Sequence, residues 1–282
     1  MGKNLTVKDL LATLEKIASF DLAAEWDNVG LMVGDPHQLI RGILVALDPT
    51  QEVLVEAKEI QADCIITHHP LIFHPPKAIY ANQPLGRFLR CALENEITVI
   101  SCHTNLDQAV GGVNDVLAST LGLFESKPLA RTAPESGAEV NAAASGAGFG
   151  RIGRFVRPMN RQEFIEHLCA HFNLPLLRVA GCLPAEITTV AVCGGSGSEL
   201  AETAFANGAE VYVTGEVKHS TARWAEAAGF CIVDAGHFAT EIPVVTFLTT
   251  VLQEVLTDLD IHIPVTATVR QQNPFCYHGP QT

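Results

Sequence analysis

The chain has 282 residues, of which 48% are hydrophobic and 17% are charged, and its formal net charge is −13. This composition is typical of a globular protein with ample apolar surface to bury in one or two domains. No stretch is rich in lysine or arginine, which argues against stable binding to nucleic acids or to a membrane surface. No uninterrupted apolar run approaches the roughly 18 residues that a membrane span needs.

The eight cysteines form no Cys-x-x-Cys pair, and several lie in apolar, strand-like runs, such as those that end at Cys193 and begin at Cys231. Cysteines in such runs are typical of buried, reduced thiols. The first residues also lack the pattern of a secretory signal. We therefore expect a cytoplasmic protein.

The first half of the chain alternates helices and strands. Apolar residues at helical spacing predict a helix over residues 7–20 with Thr6 as its N-cap, and a turn follows at residues 34–36. The later segments predict, in order, a strand, a helix, a strand, a helix and a strand at residues 43–47, 52–60, 64–67, 85–94 and 98–101.

Between about residues 125 and 150, small residues without apolar periodicity predict a linker or a long loop. The alternation then resumes, with strands and helices predicted in turn at residues 189–193, 198–207, 210–214, 221–228 and 231–234. We therefore expect three parts, namely a first α/β half at residues 1–128, a linker at residues 129–147 and a second α/β half at residues 148–282.

The two halves resemble each other. Residues 62–67 (ADCIIT) parallel residues 209–214 (AEVYVT), and residues 98–103 parallel residues 231–237. Alternating strands and helices predict mainly parallel sheets with right-handed crossovers. The expected fold class is α/β, with two related halves packed around a shared cleft, where ligand sites commonly form.

Polar clusters follow four predicted strand ends, at residues 68–69, 103–107, 216–219 and 237–241. Active sites of α/β proteins lie at the carboxyl ends of strands. Histidines mixed with carboxylates, and no thiolate, suit divalent zinc, iron, manganese or nickel. Three histidines and two carboxylates exceed the ligand set of one catalytic zinc and suit two ions bridged by a carboxylate. The cleft is therefore expected to contain metal.

Two of these residues, His237 and Glu241, are four apart, so that a helix beginning at His237 would place both side chains on one face. Structural roles remain open for single members of the clusters. A lone histidine at a strand end is more often a hydrogen-bonded structural residue, Asp107 could cap the segment after it, and Glu241 could be a solvated helix residue. The combination of clusters carries the metal hypothesis.

A glycine-rich turn, Gly194-Gly195-Ser196-Gly197, lies between a predicted strand and a predicted helix. Its free backbone N–H groups could hold an anion such as a substrate phosphate, for which Gly195, Ser196 and Gly197 are the candidate residues. A tight connection with a serine N-cap explains the same residues equally well. The sequence matches neither the dinucleotide-binding fingerprint nor a P-loop.

Six motifs, in order over nearly the whole chain, resemble the GTP cyclohydrolase I type 2 family, whose members are also described as NGG-interacting-factor-like dinuclear metal proteins. The motifs are WDNVGL (residues 26–31), THHPLIF (67–73), HTNLD (103–107), GFGRIG (148–153), GGSG (194–197) and GHFATE (236–241).

This resemblance implies a two-domain α/β subunit with two divalent metal ions between its domains, assembled as a homohexamer. The metal ligands that it implies are His68, His69, Asp107, His237 and Glu241. Some relatives carry an additional domain inserted in mid-chain, for which the predicted linker is too short. We assign His103 and Glu216 as candidate proton carriers beside the metal ions.

The family name implies opening of the guanine imidazole ring of GTP with loss of formate, which gives dihydroneopterin triphosphate. A metal ion that lowers the pKa of water from 15.7 to roughly 7 suits attack on C8 of the purine. The expected partner is therefore a nucleotide or a related heterocycle. Two alternatives stay open, namely a dinuclear phosphoesterase and a metal-binding scaffold or regulatory protein without turnover.

Overall fold

The computed structural model describes residues 3–131 and 146–276. Its strands are β1 (Leu5–Thr6), β2 (Gly30–Val33), β3 (Leu39–Ile40), β4 (Ile43–Ala46), β5 (Cys64–Thr67), β6 (Thr98–Ser101), β7 (Phe124–Ala130), β8 (Phe149–Asn160), β9 (Arg178–Ala180), β10 (Glu186–Cys193), β11 (Val211–Thr214), β12 (Cys231–Asp234) and β13 (Val265–Ala267). Its α-helices are α1 (Val7–Ile17), α2 (Gln51–Glu59), α3 (Pro84–Glu94), α4 (Thr104–Gln108), α5 (Val113–Thr120), α6 (Arg161–Phe172), α7 (Ala201–Ala206), α8 (His219–Ala228), α9 (His237–Glu241) and α10 (Pro243–Asp258).

The first sheet has the strand order β13-β4-β5-β6-β2. Its four strands β13, β4, β5 and β6 run parallel, and only the edge strand β2 is antiparallel. Every residue of β4, β5 and β6 is buried. Short apolar runs without alternation are typical of strands that are covered on both faces, and for this reason the sequence placed these three strands correctly.

The second sheet has the order β7-β8-β10-β11-β12-β9. Its centre is parallel, from β10 through β11 to β12, whereas β8 and β9 join it in antiparallel orientation. The predicted internal parallel is present in space, because β5 and β6 are parallel neighbours in one sheet and β11 and β12 are parallel neighbours in the other. The α/β class with mainly parallel sheet centres is confirmed.

Two C-terminal elements that the sequence did not predict, α10 and β13, lie with the first sheet although they come from the second half of the chain. Strand β13 pairs with β4, from Val265 opposite Ile43 to Ala267 opposite Val45. Helix α10 packs its buried valines and leucines into the same core as α1. The predicted division at residues 129–147 therefore does not separate the two sheets.

The predicted linker also begins too early. Strand β7 continues to Ala130 and pairs with β8 along the edge of the second sheet. Its residues from Phe124 to Lys127 are exposed, and Pro128 interrupts the pattern, so that the segment shows no apolar periodicity. Edge strands tolerate such residues, which is why the sequence suggests a loop here. The rest of the predicted linker, residues 132–145, lies outside the described residues.

The helical run His237–Asp258, which comprises α9 and α10, is long and apolar enough to cross a membrane when judged by length and composition alone. Five apolar side chains of α10 are nevertheless buried in the protein core, namely Val244, Val245, Leu248, Leu252 and Leu256. Core helices of globular proteins pass the same test, and the run is weak evidence for a membrane span.

Several cysteines that were predicted to be buried are buried in the structure. Burial raises the pKa of the Cys102, Cys193 and Cys231 thiols to about 12, so these side chains stay protonated and poorly nucleophilic at neutral pH.

Thr6 caps α1 as predicted, because its hydroxyl accepts a hydrogen bond from the backbone N–H of Asp9 while the Asp9 carboxylate accepts one from the backbone N–H of Thr6.

Candidate metal centre

The predicted ligands follow the carboxyl ends of strands in both sheets. His68 and His69 come directly after β5, and Asp107 lies in α4, just beyond β6. In the second sheet, β12 ends at Asp234, and α9 begins at His237 and ends at Glu241. This one-turn helix turns both of its ligand residues toward the same side, as their spacing of four predicts.

The five side chains meet at one point. His68 Nε2 lies 3.6 Å from Asp107 Oδ1 and 3.7 Å from Glu241 Oε1. Glu241 Oε2 lies 3.1 Å from His69 Nε2 and 2.9 Å from His237 Nε2, and these two ring nitrogens are 3.2 Å apart. The structure therefore brings together all five residues that were predicted as ligands.

Two of these donor atoms, His68 Nε2 and Glu241 Oε2, are buried without a hydrogen-bond partner. A buried polar atom without a partner costs free energy. The Nε2 atoms of His69 and His237 approach Glu241 Oε2 closely, but neither contact has hydrogen-bond geometry. This arrangement fits a metal ion, which would satisfy all of these atoms at once.

The donor atoms fall into two groups that share one residue. His69, His237 and Glu241 form one group, and His68, Asp107 and Glu241 form the other, with the donor atoms of each group within 4.8 Å of one another. Both groups offer only imidazole and carboxylate ligands, the set preferred by borderline divalent ions. The described residues could hold a metal ion in either group, with the carboxylate of Glu241 between them.

Each histidine of the cluster is fixed by a hydrogen bond at Nδ1, which leaves Nε2 directed at the centre. Metal-binding histidines characteristically donate the other ring N–H to a carboxylate or a carbonyl oxygen. The acceptors are the carbonyl of Cys102 for His68 (2.9 Å), Asp48 Oδ1 for His69 (2.7 Å), Asp27 Oδ1 for His103 (2.8 Å) and Glu216 Oε1 for His237 (2.8 Å).

Sequence reasoning missed Asp48. This residue comes two positions after the end of β4, so that its signal is the same as for the histidines, namely a polar residue beyond the end of a parallel strand. Gln271 holds Asp48 in place, because its side-chain amide donates to the Asp48 carbonyl (3.1 Å) and to Oδ2 (3.3 Å). The C-terminal segment thereby supports the orientation of His69.

His103 and Glu216, the two predicted proton carriers, occupy different settings. The ring of His103 lies beside the cluster and forms a third possible ligand group with His68 and His69. Its partner Asp27 has a side chain without exposed surface. Glu216 accepts a hydrogen bond from His237 Nδ1, and its side chain is 54% exposed to solvent at the edge of the cluster. Proton transfer by either residue stays a prediction.

Two of the histidines bind protons unusually tightly in the metal-free cluster. Burial alone would lower the pKa of His69, but Asp48 and Glu241 outweigh it and raise the pKa to about 10. Burial likewise disfavours the charged form of His237, whereas Glu241 and Glu216 raise its pKa to about 9. Both rings are therefore protonated at neutral pH unless a metal ion replaces the proton.

The two buried carboxylates behave differently. Burial raises the pKa of Asp107 above its ordinary value, and the charge of His68 does not offset this effect. Burial acts on Glu241 in the same direction, but contacts with His237, His68 and His69 hold its pKa well below the usual range. Glu241 is therefore ionised at neutral pH and supplies negative charge to this site.

The glycine turn lies directly behind Glu241. Three of its N–H groups already have protein partners, since Gly194, Gly195 and Gly197 donate to Asn114 Oδ1, Thr240 Oγ1 and Thr214 Oγ1 respectively. Ser196 is exposed at its tip. A substrate-binding role for Gly195, Ser196 and Gly197 stays a prediction. The packing gives a second reason for glycine at position 195, namely the lack of space for a Cβ atom beside Glu241.

Replacing Gly195 with alanine should disrupt the ligand geometry. A Cβ atom at this position would lie 2.1 Å from Glu241 Oε1 and 3.1 Å from His237 Nε2, and the residue has a φ of +62°. The carboxylate must move, and we expect metal content measured by plasma mass spectrometry to fall by at least half. Gly208→Ala is the control, because φ is +80° there but no atom lies within 4 Å of the added carbon. Equal metal content in the two variants would contradict this expectation.

A family model described as Duf34/NIF3 (NGG1p interacting factor 3) matches residues 5–274. The chain belongs to this family. A relative from Clostridium acetobutylicum named "GTP cyclohydrolase 1 type 2 homolog" is 34% identical over 272 residues, which cover 96% of this chain and 98% of the relative. A Bacillus subtilis relative of the same name is 26% identical over 373 aligned positions, with 98% and 100% of the two chains covered.

Solved structures agree with this assignment. A Bacillus cereus protein described as related to NIF3 superposes with a TM-score of 0.90 at 26% identity and covers 98% of this chain and 100% of its own. The resemblance drawn from the six sequence motifs is thus confirmed over nearly the full length. In this chain, the fold brings the ligand residues of the THHPLIF, HTNLD and GHFATE motifs into one cluster.

Proposed function

We propose that this NIF3-family protein is a hydrolase that uses two divalent metal ions to open a ring of a nucleotide or a related heterocycle. The two ligand groups that share Glu241 carry the proposal, because paired ions bridged by a carboxylate are typical of metal-dependent hydrolysis. His69 and His237 would hold one ion, His68 and Asp107 the other. Homohexamer assembly and a cytoplasmic location stay predictions from the sequence.

Ions bound in these groups would supply Lewis-acid activation of water and of the substrate. The protein's own part is to position groups and to move protons. His103 Nε2 faces the cluster while Nδ1 donates to the buried Asp27 carboxylate, and this arrangement lets the ring accept a proton from water and return it to the leaving nitrogen. Asp48 and Glu216 fix the orientation of two ligand rings.

GTP is the substrate that we propose to test first, because the names of the relatives point to it. A cavity of about 240 Å³ opens beside the cluster and is lined by residues that include His69, His237, Asp48, Glu216 and Phe238. It gives a small ligand access to the ring nitrogens from solvent.

The test is release of formate from GTP by the metal-loaded protein, followed beside release of inorganic phosphate. Formate production that is lost in His68→Ala supports ring opening. Phosphate without formate would instead identify a phosphoesterase. If neither product forms from any of several nucleotides or free purines, the protein binds metal without this activity. Val269→Thr, at an 85% exposed position, is a control that should keep full activity.

Metal uptake should release protons. Below about pH 9 both His69 and His237 are protonated in the metal-free protein, and an ion must displace these protons to reach Nε2. The apparent affinity for zinc should therefore rise with pH up to about 9 to 10 and change little above that range. Calorimetry in two buffers of different ionisation heat measures the released protons. Zinc binding without proton release at pH 7 would show that the rings are neutral beforehand.

A further inference from the structure

We propose that Trp26 and Phe73 form a stacking surface for the planar heteroaromatic ring of the substrate, directly beside the metal centre. This inference rests on the proposed function for its choice of ligand. It adds a recognition element that lies outside the ligand set, on two loops of the first half of the chain.

The two rings are exposed and close to the cluster. Trp26 is 59% exposed and Phe73 is 40% exposed, and their centroids are 5.8 Å apart at an angle of 49°. Both also contact the ring of His103 edge-on, at 6.3 Å and 6.1 Å. His103 in turn lies 5.1 Å from His68, so that the aromatic pair borders the ligand groups.

The loop that carries Trp26 is held rigidly from both sides. The side chain of the next residue, Asp27, has no exposed surface and accepts hydrogen bonds from His103 Nδ1, Thr104 N and Thr104 Oγ1. Asn28 donates from its side-chain amide to the carbonyl of Ile72 at 2.6 Å. Because Ile72 precedes Phe73, this bond ties the two aromatic residues together.

Large exposed aromatic side chains that lie together and are held in place commonly mark a binding site. Stacking on such rings is favourable for any flat π-system and is the usual way in which proteins hold nucleobases. The position of the pair would place a stacked ring next to the groups that act on it.

The chain has only two tryptophans, which allows a direct test. Trp224 packs against Phe205 and Phe230, away from the cluster, and Trp224→Phe leaves Trp26 as the sole reporter. Guanosine added to the metal-loaded variant should quench its fluorescence saturably, whereas inorganic triphosphate should not. Phe73→Ala should weaken guanosine binding by roughly tenfold. Phe124→Ala, with 39% exposure on the second sheet, should not.

Absence of quenching by guanosine, or the same response in the Phe73 and Phe124 variants, would overturn the proposal. A blue-shifted Trp26 emission that persists without ligand would also overturn it, because the ring would then be covered by another copy of the chain. Guanosine binding without formate release from GTP would defeat only the proposed reaction. Formate release with an unchanged kcat/KM in Trp26→Ala would defeat only the stacking surface.

Discussion

Glu241→Gln is expected to remove both of the proposed metal ions together. Glu241 belongs to both ligand groups, its side chain is 4% exposed, and contacts with three histidines keep it ionised. The amide has the same shape but no negative charge and is a weak ligand. We expect purified Glu241→Gln to contain less than about a tenth of the metal of the unchanged protein by plasma mass spectrometry, and to lose any metal-dependent turnover.

Glu216→Gln is the matched control, because the same substitution is made in a residue that contacts His237 Nδ1 but belongs to neither ligand group. Loss of such a supporting partner typically weakens metal binding by about 10- to 100-fold, and the metal should remain bound at saturating zinc. If Glu241→Gln kept both ions, Glu241 would not be the shared ligand, and the two-ion arrangement would have to be abandoned.

Arg151→Met should cause the largest loss of stability. The Arg151 side chain is 1% exposed and donates to both carboxylate oxygens of Asp115 and to the carbonyls of Gly148, Gly150 and Ala109. Methionine fills the space but removes the charged partner of Asp115, which keeps a hydrogen bond from Gly111 N, and takes the donor from three backbone carbonyls. Because Asp115 is 26% exposed, the cost should lie near the lower end for a broken buried pair, at about 3 kcal/mol, and the free energy of unfolding in urea should fall by that order.

Arg178→Met offers a close comparison. Arg178 also pairs with an aspartate, Asp234, at 2.9 Å, but the arginine is 76% exposed. Asp234 retains hydrogen bonds from Val217 N and Gly236 N after the change. The expected cost is at most about 1 kcal/mol. Equal losses in the two variants would mean that burial of Arg151 does not determine its contribution.

The sequence predicts the strands that carry the site better than the elements around them. Strands β5, β6 and β12 have the predicted bounds, because buried parallel strands are continuous apolar runs. Strands β7 and β13 were missed for opposite reasons. The first is an exposed edge with a proline at residue 128, and the second has three residues, whose partner β4 lies far away in the chain. Pairing over such a distance leaves no local pattern.

The candidate ligands could be named from the sequence because ligand chemistry and strand ends coincide at His68, Asp107 and His237. The residues that hydrogen-bond to those ligands could not be named from the sequence. Asp48 follows its strand without a neighbouring histidine, and only the folded chain shows that it orients His69. The glycine turn is a similar case, because its contact with Glu241 is a property of three-dimensional packing.

The pairing of β13 with β4 has a consequence for synthesis of the chain. Strand β4 is buried on both sides, yet its outer neighbour is made only when residues 265–267 have left the ribosome. Until then an apolar strand edge stays open, and such edges invite association with other chains. We expect ribosome-bound chains that end before residue 243 to need chaperone protection, and the metal centre to close only as the last elements fold into place.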